Sequence, residues 1–124
     1  MEENLCIEKV WGCEEILETN DLYTGKYLYV QPGYLCSVHR HHIKDETFIC
    51  VAGSGFIGVG DTVKPFSEGC KQRILPGTWH FFGSMDGMTL LEISTAHSDV
   101  DVERSRESRR ILPEDHELWN LYHG

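Results

Sequence analysis

Short runs of β-forming residues, separated by glycines, place the strongest constraint on the fold of this chain. Eleven glycines fall between Gly12 and Gly87, and the runs between them are rich in residues that suit a pleated surface. No run shows a helical period, so this spacing predicts an all-β fold, either an antiparallel sandwich or a barrel. The predicted strands are residues 6–11, 14–18, 26–30, 35–41, 46–52, 55–59, 71–75, 79–83 and 89–95.

The length and texture of the chain predict one domain. It has 124 residues, a size typical of a single domain, and shows no linker, repeat or low-complexity tract. We expect residues 1–112 to form the barrel and residues 113–124 to form a short C-terminal helix or extension packed against it. Pro113 suits a first helical turn, and the acidic Glu114 and Asp115 follow it.

Charge and cysteine usage exclude several function classes. Asp and Glu number 20 against 11 Lys and Arg, for a net charge of −9, which argues against a nucleic-acid binder. The chain lacks the run of about 20 apolar residues that spans a membrane. Its N-terminus lacks a signal-peptide pattern, so we expect a cytoplasmic protein. The five cysteines are odd in number and form no C-x-x-C pair, so we expect free thiols rather than a zinc ribbon.

A group of histidines and one glutamate carries the clearest chemical signal. His39 and His41 alternate along a predicted strand, so their side chains point to the same side. A turn after them would bring Glu46 beside both rings, and the tight turn before His80 would deliver a third imidazole. Three histidines and one carboxylate suit a divalent transition metal such as Mn, Zn, Fe or Ni. Such a set leaves coordination positions open, as a catalytic metal requires.

The spacing of these residues resembles the two sequence motifs of the cupin superfamily. Gly33-x5-His39-x-His41-x4-Glu46-x6-Gly53 matches the first motif at each fixed position. The segment from Gly69 to Pro76-Gly77-x-x-His80 resembles a shortened second motif, in which Pro76 directly precedes Gly77 and the usual asparagine is missing. The resemblance implies a cupin double-stranded β-helix, or jelly-roll barrel, with a metal held by His39, His41, Glu46 and His80.

Further segments are similar to small sugar-isomerase cupins, namely the mannose-6-phosphate isomerase-like and D-lyxose isomerase-like members. They are Lys9-Val10-Trp11-Gly12, residues 26–28, residues 37–48 and residues 92–104. The resemblance implies a metal-dependent aldose–ketose isomerase or epimerase that acts on a sugar or sugar phosphate through a metal-stabilised enediolate. Glu92, within an apolar run, is the candidate base, although strand parity leaves open whether it faces the barrel or the solvent.

Several other side chains are candidate substrate contacts, each with a simpler structural alternative. Lys44 follows the histidines and would hold an anionic oxygen or face water. His97 would bind sugar hydroxyls or fill a capping or core role, and Tyr27 and Phe48 would stack on a sugar or fill the barrel. Arg104 would meet a phosphate or pair with Asp99 or Asp101.

Two other function classes fit the same residues. An iron-dependent cupin dioxygenase would use the same ligand set, and a non-catalytic module would bind a metal or a sugar without turnover. In each case the expected ligand is a small molecule rather than a nucleic acid or a membrane. We also expect a homodimer, in which an N-terminal strand at residues 6–11 adds to the partner's sheet edge.

Overall fold

The computed structural model describes residues 5–115, which form twelve β-strands and no helix. The predicted all-β fold is therefore confirmed. In chain order the strands are β1 (Cys6–Lys9), β2 (Gly12–Thr19), β3 (Tyr23–Val30), β4 (Tyr34–Leu35), β5 (Val38–Arg40), β6 (Glu46–Val59), β7 (Thr62–Ser67), β8 (Lys71–Ile74), β9 (His80–Ser84), β10 (Met88–Thr95), β11 (Glu103–Arg106) and β12 (Arg109–Arg110). Within the described range, no helix is present that is long and apolar enough to cross a membrane.

The strands form two halves of one antiparallel sheet that share β6. In the first half the neighbours run β1-β2-β3-β10-β6, and β8 pairs with the other edge of β6. In the second half β6 lies between β7 and β9, and β9 also pairs with β4 and β5. The late strands β11 and β12 return to this half and pair with β5 and β4.

Strand β6 is continuous where the sequence predicted two strands. It pairs with β10 as far as Gly53 and with β7 from Ser54 onward, so it passes from one half of the sheet to the other at this point. Gly53 has a φ of +77°, and a Cβ there would lie 2.4 Å from the carbonyl oxygen of Gly87. A glycine is therefore needed where β6 changes partners.

Three strands, β7, β11 and β12, escaped the sequence prediction because each contains a proline or mostly charged residues. Strand β7 contains Pro65, which is tolerated only at a sheet edge or bulge. Strands β11 and β12 are short and mostly charged. They become strands through hydrogen bonds to β5 and β4, which lie far away in the sequence.

The interior changes from apolar to polar along the barrel. In the register of β3, β10 and β6, one inward row contains Leu28, Leu90 and Cys50. The next inward row, two residues along each strand, contains Lys26, Glu92 and Phe48. The third inward row contains Glu46 on β6. The apolar end packs against aromatic side chains such as Phe82 from the facing half. The polar end therefore marks where a functional site would lie.

The tail is described only as far as Asp115. Leu112 donates its amide hydrogen to the Asp115 carboxylate at 2.7 Å, and Arg109 forms an ion pair with the same carboxylate. These contacts form a turn where the first residues of the predicted helix lie. The remainder of that helix, residues 116–124, lies outside the described residues, so the helix and the domain boundary at residue 112 stay predictions.

The cysteines differ in part from the expected free thiols. Cys6 and Cys13 form a disulfide with a Cα–Cα distance of 5.6 Å, so the expectation is wrong for these two. Antiparallel pairing of β1 with β2 brings them together, a juxtaposition that cysteine spacing alone does not reveal. Cys36 and Cys50 are buried free thiols, and Cys70 is an exposed one.

Candidate metal centre and cavity

Three strands and one loop bring the four predicted metal ligands to one point. His39 on β5 lies directly opposite His80 at the start of β9. Glu46 is the first residue of β6, and His41 begins the loop that joins β5 to β6. One ligand atom from each of the four residues lies within 4.8 Å of the others. The residues predicted from spacing are therefore brought together in space.

The ring orientations favour metal binding by the Nε2 atoms. Each Nδ1 lies within hydrogen-bond distance of a backbone carbonyl oxygen: 2.7 Å from Ser37 for His39, 2.8 Å from Asp101 for His41 and 2.9 Å from Thr78 for His80. Because a carbonyl only accepts, each Nδ1 must carry the hydrogen, which leaves the lone pair on Nε2. Histidines that bind metals are typically oriented in this way by their second nitrogen.

The buried centre of the cluster contains polar atoms without hydrogen bonds. Among residues 5–115, the two Glu46 oxygens and the His80 Nε2 have no well-directed hydrogen-bond partner. The His80 Nε2 and the Glu46 Oε1 nevertheless lie only 2.7 Å apart. At this distance a positive charge must lie between or beside the two atoms, whether a proton on Nε2 or a bound cation. The residues therefore fit a divalent metal ion, and this group could hold one.

The environment of the cluster sets its charge. Burial, together with the neighbouring His80, lowers the pKa of His39 to about 3. Burial also lowers the pKa of His41, against the opposing effect of Glu46. Both imidazoles are therefore neutral near pH 7, as metal ligands must be. Burial alone would raise the pKa of Glu46, but the facing His80 and the Lys44 ammonium outweigh it and hold this pKa at about 2.

A chain of buried ion pairs continues from the metal cluster along the barrel wall. The Lys44 Nζ lies 3.2 Å from Glu46 Oε2 and 3.0 Å from Glu92 Oε2. The same Glu92 oxygen lies 3.8 Å from Lys26 Nζ, which lies 3.4 Å from Glu14 Oε1. Glu92 is 5% exposed, so its side chain faces the barrel interior. Burial and the nearby Glu46 raise the pKa of Glu92, while the two ammonium groups lower it to a smaller extent.

A cavity of about 410 Å³ opens beside the metal cluster. His39 and His41 line it, together with the predicted substrate contacts Lys44, Phe48 and His97 and the candidate base Glu92. Lys44 is buried and ion-paired, so the alternative in which it faces water is wrong. His97 is exposed and hydrogen-bonds to Asp99 at 2.8 Å.

One predicted contact lies elsewhere, and two residues of the ion-pair chain were missed. Tyr27 alternates with the inward-facing Lys26 along β3, so its ring lies on the outer face and does not line the cavity, contrary to the expectation for it. Lys26 and Glu14, for which no role was predicted, do line it, and so does the candidate contact Arg104. The period-two alternation of β3 could have separated Lys26 from Tyr27, but not shown which of them faces inward.

Arg104 reaches the cavity through strand pairing. It lies on β11 directly opposite His39 on β5, and opposite residues in a sheet project to the same side. Neither aspartate suggested as its partner is ion-paired with it, because Asp99 bonds to His97 and Asp101 accepts backbone amides. Arg104 is exposed and lines the open side of the cavity.

Comparison with known families and proteins agrees with the resemblance seen in the sequence. The family described as "Mannose-6-phosphate isomerase C-terminal" matches residues 2–105. A mannose-1-phosphate guanylyltransferase from Sinorhizobium fredii (strain NBRC 101917 / NGR234) is 28% identical over 109 residues. That alignment covers 84% of this chain but 21% of the relative, so the chain spans about a fifth of the relative's length.

Solved structures establish the fold. An RmlC-like cupin from Shewanella frigidimarina is similar with a TM-score of 0.74 and 15% identity, over 79% of this chain and 88% of that one. Oxalate decarboxylase from Bacillus subtilis gives a TM-score of 0.72 and 15% identity, over 82% and 30% of the two chains. These similarities confirm the predicted cupin barrel and say nothing about activity.

Proposed function

The chain belongs to the mannose-6-phosphate isomerase C-terminal family, and from this premise we propose that it is a metal-dependent isomerase or epimerase of a small sugar or sugar phosphate. The observation that carries the proposal is the combination of a four-residue metal cluster with a buried carboxylate in one cavity. Lys44 joins them, since its ammonium contacts both Glu46 and Glu92. An iron-dependent dioxygenase or a non-catalytic binding module would use the same metal cluster, but neither requires Glu92 as a base.

The metal would be held by His39, His41, Glu46 and His80. When bound, a divalent ion supplies electrophilic chemistry that polarises a sugar carbonyl and stabilises negative charge on the neighbouring oxygens. The carbonyl oxygens of Ser37, Thr78 and Asp101 hold the three rings in place for this purpose.

Glu92 is the proposed base. Aldose–ketose exchange moves a proton between adjacent carbons, and a carboxylate with a raised pKa both accepts and returns such a proton. Burial raises the pKa of Glu92, and the Lys44 and Lys26 ammonium groups fix the position of its Oε2. Glu92 would take the proton from one sugar carbon and return it to the next.

The remaining cavity residues would bind the sugar. Lys44 and His97 offer hydrogen-bond donors for hydroxyl oxygens, and the Phe48 ring offers an apolar surface for a sugar C–H face. Arg104 would bind a phosphate if the sugar has one, because its guanidinium lines the open side of the cavity. The net charge of −9 favours a neutral sugar, so a phosphorylated substrate would depend on this local positive charge.

Metal analysis followed by a sugar panel tests the proposal. The purified protein is analysed by mass spectrometry for bound metal, reloaded with Mn, Zn, Fe or Ni, and incubated in D₂O with pentoses, hexoses and their phosphates. NMR should show one sugar converted, with deuterium incorporated at the exchanging carbon. Metal-dependent oxygen uptake would instead indicate the dioxygenase, and saturable binding without conversion would indicate the non-catalytic module.

We further propose that the protein is a cytoplasmic homodimer. All four residues of β1 are exposed, and β1 lies at the end of the strand order with β2 as its neighbour. This edge suits addition of a second copy's strand. Size-exclusion chromatography with light scattering should give twice the chain mass of 14.2 kDa, and a monomeric mass would contradict the proposal.

A further inference from the structure

One residue outside the ligand set contacts the ligand loop at several points. The Asp101 carboxylate accepts backbone amide hydrogens from three consecutive residues of the loop between β5 and β6: His42 at 2.8 Å, Ile43 at 3.1 Å and Lys44 at 3.0 Å. The Asp101 backbone oxygen accepts a hydrogen bond from His41 Nδ1 at 2.8 Å. Asp101 is buried, with 8% exposure. It therefore contacts both the loop backbone and one ligand ring.

The three ligand histidines differ in how their rings are oriented. His39 and His80 each bond to the carbonyl of the residue two positions earlier, Ser37 and Thr78. These contacts are local in the sequence and need no distant segment. The partner of His41 lies 60 residues away in the sequence. The orientation of His41 therefore depends on where the distant segment 97–104 lies.

We propose that Asp101 is a positioning residue that fixes the loop and the His41 ring in the orientation needed to bind metal. Toward the metal this inference rests on the proposed function, because it assumes the four-residue ligand set. The contacts themselves belong to the protein without metal. Loss of the carboxylate would leave three loop amides without their acceptor. The loop that carries Lys44 would then no longer be held against the segment whose Asp101 backbone oxygen orients the His41 ring.

The segment that holds Asp101 also forms part of the cavity. His97, Asp99, Val102 and Arg104 line it, whereas Asp101 turns toward the loop. Asp101 therefore links the open side of the cavity to the metal ligands. Asp99 is the matched control, because it lies in the same segment, its side chain is 97% exposed, and its hydrogen bond is to His97 rather than to the loop.

The test compares Asp101→Ala, Asp101→Asn and Asp99→Asn in the full chain. Affinity for Mn²⁺ and Zn²⁺ is measured by competition with a chelator, at a temperature where every variant is folded. Asp101→Ala should weaken binding about 10- to 100-fold, the usual effect of removing a residue that orients a ligand. Asp101→Asn keeps one acceptor oxygen and should lie between Asp101→Ala and the wild type, and Asp99→Asn should bind as the wild type does. Wild-type affinity in Asp101→Ala, even with a lowered melting temperature, would overturn the proposal.

A second measurement separates this inference from the proposed function. In the metal-free proteins, ¹⁵N NMR reports the His41 tautomer, and hydrogen exchange reports protection of the amides of residues 42–44. Asp101→Ala should mix the tautomers and lose the protection, while Asp99→Asn should change neither. If the wild type binds no metal, the proposed metal-dependent function is wrong. The His41 tautomer and the amide protection still test the positioning role of Asp101 in that case. Unchanged signals in Asp101→Ala would overturn its positioning role.

Discussion

Two polar clusters at the cavity satisfy their polar groups in different ways. The ion-pair wall, formed by Glu14, Lys26 and Glu92, pairs each charge with an opposite charge in the protein. The histidine wall, formed by His39, His41, Glu46 and His80, gathers imidazoles around one carboxylate. Within residues 5–115 three of its buried atoms, both Glu46 oxygens and the His80 Nε2, have no hydrogen-bond partner, against one, Glu92 Oε2, in the ion-pair wall. Buried polar groups without partners are costly, so the difference indicates that the histidine wall is completed by a cation.

Lys44 connects the two walls. Its ammonium lies 3.2 Å from Glu46 on one side and 3.0 Å from Glu92 on the other. Burial lowers the pKa of Lys44, but the two carboxylates outweigh this and raise it above the ordinary value. Lys44 therefore stays charged and holds the ligand and the proposed base at a fixed separation.

The largest expected effect comes from breaking the histidine wall. His80→Ala removes a ligand that lies 2.7 Å from Glu46 at the bottom of the cluster. Because even the loss of an orienting residue typically weakens metal binding 10- to 100-fold, loss of the ligand itself should cost at least about 100-fold. Isothermal titration calorimetry measures this change.

The matched control for that variant is His42→Ala. His42 lies beside His41 in the same loop, but its side chain is exposed and contacts Glu103. It should bind metal as tightly as the wild type. Equal metal affinity in His80→Ala and the wild type would show that the unpartnered atoms do not form a metal site.

Breaking the ion-pair wall should affect turnover and spare metal binding. Glu92→Gln keeps the shape of the side chain but removes the proposed base, and general-base catalysis typically contributes about 10²- to 10⁴-fold. We expect a loss of that size in conversion of the sugar found in the panel, with metal content unchanged. Deuterium incorporation from D₂O measures the proton transfer directly.

Glu14→Gln serves as the control on the same wall. Glu14 forms ion pairs with Lys26 and Lys9, whereas none of the ion pairs of residues 5–115 joins it to Lys44 or to the histidine wall. Its loss should reduce turnover far less than Glu92→Gln does. Equal effects of the two variants would mean that the wall as a whole, rather than Glu92, is needed.

The histidine wall was predictable from the sequence, and most of the ion-pair wall was not. His39 and His41 follow strand periodicity, and Glu46 is close to them in sequence. Their spacing alone therefore predicted that they bind one metal ion. In β3, by contrast, Tyr27 was expected to line the barrel, and no role was predicted for Lys26. The structure buries Lys26, with 6% exposure, and turns Tyr27 outward. Lys26 is buried because it pairs with Glu92 and Glu14 from other strands.

The contribution of the C-terminal segment to the site could not be predicted for the same reason. In the sequence alone, Arg104 and Asp101 belong to a stretch of charged and polar residues. Their positions depend on the pairing of β11 with β5, which joins residues more than 60 positions apart, such as Glu103 and Arg40. Local patterns predict which residues form strands, but the partners of a charged strand come from the tertiary fold.

The smallest expected effect is a pH dependence of stability in which the two walls act with opposite sign. His39 has a pKa of about 3 in the folded protein against 6.5 for an ordinary histidine. Between these values the unfolded chain binds more protons, so stability should fall as the pH drops below about 6.5, by at most about 1.4 kcal/mol per pH unit for such a histidine. His41 shifts in the same direction.

Glu92 contributes the reverse, because its pKa is raised in the folded protein. The folded state then binds more protons above pH 4.5, and the stability from this group is lost as the pH rises through its folded pKa. Urea unfolding of the metal-free protein between pH 5 and 6.5 should therefore show a flatter slope in His39→Gln and a steeper one in Glu92→Gln. Parallel slopes for the wild type and both variants would show that the two walls do not differ in proton binding, and the contrast between them would then rest on geometry alone.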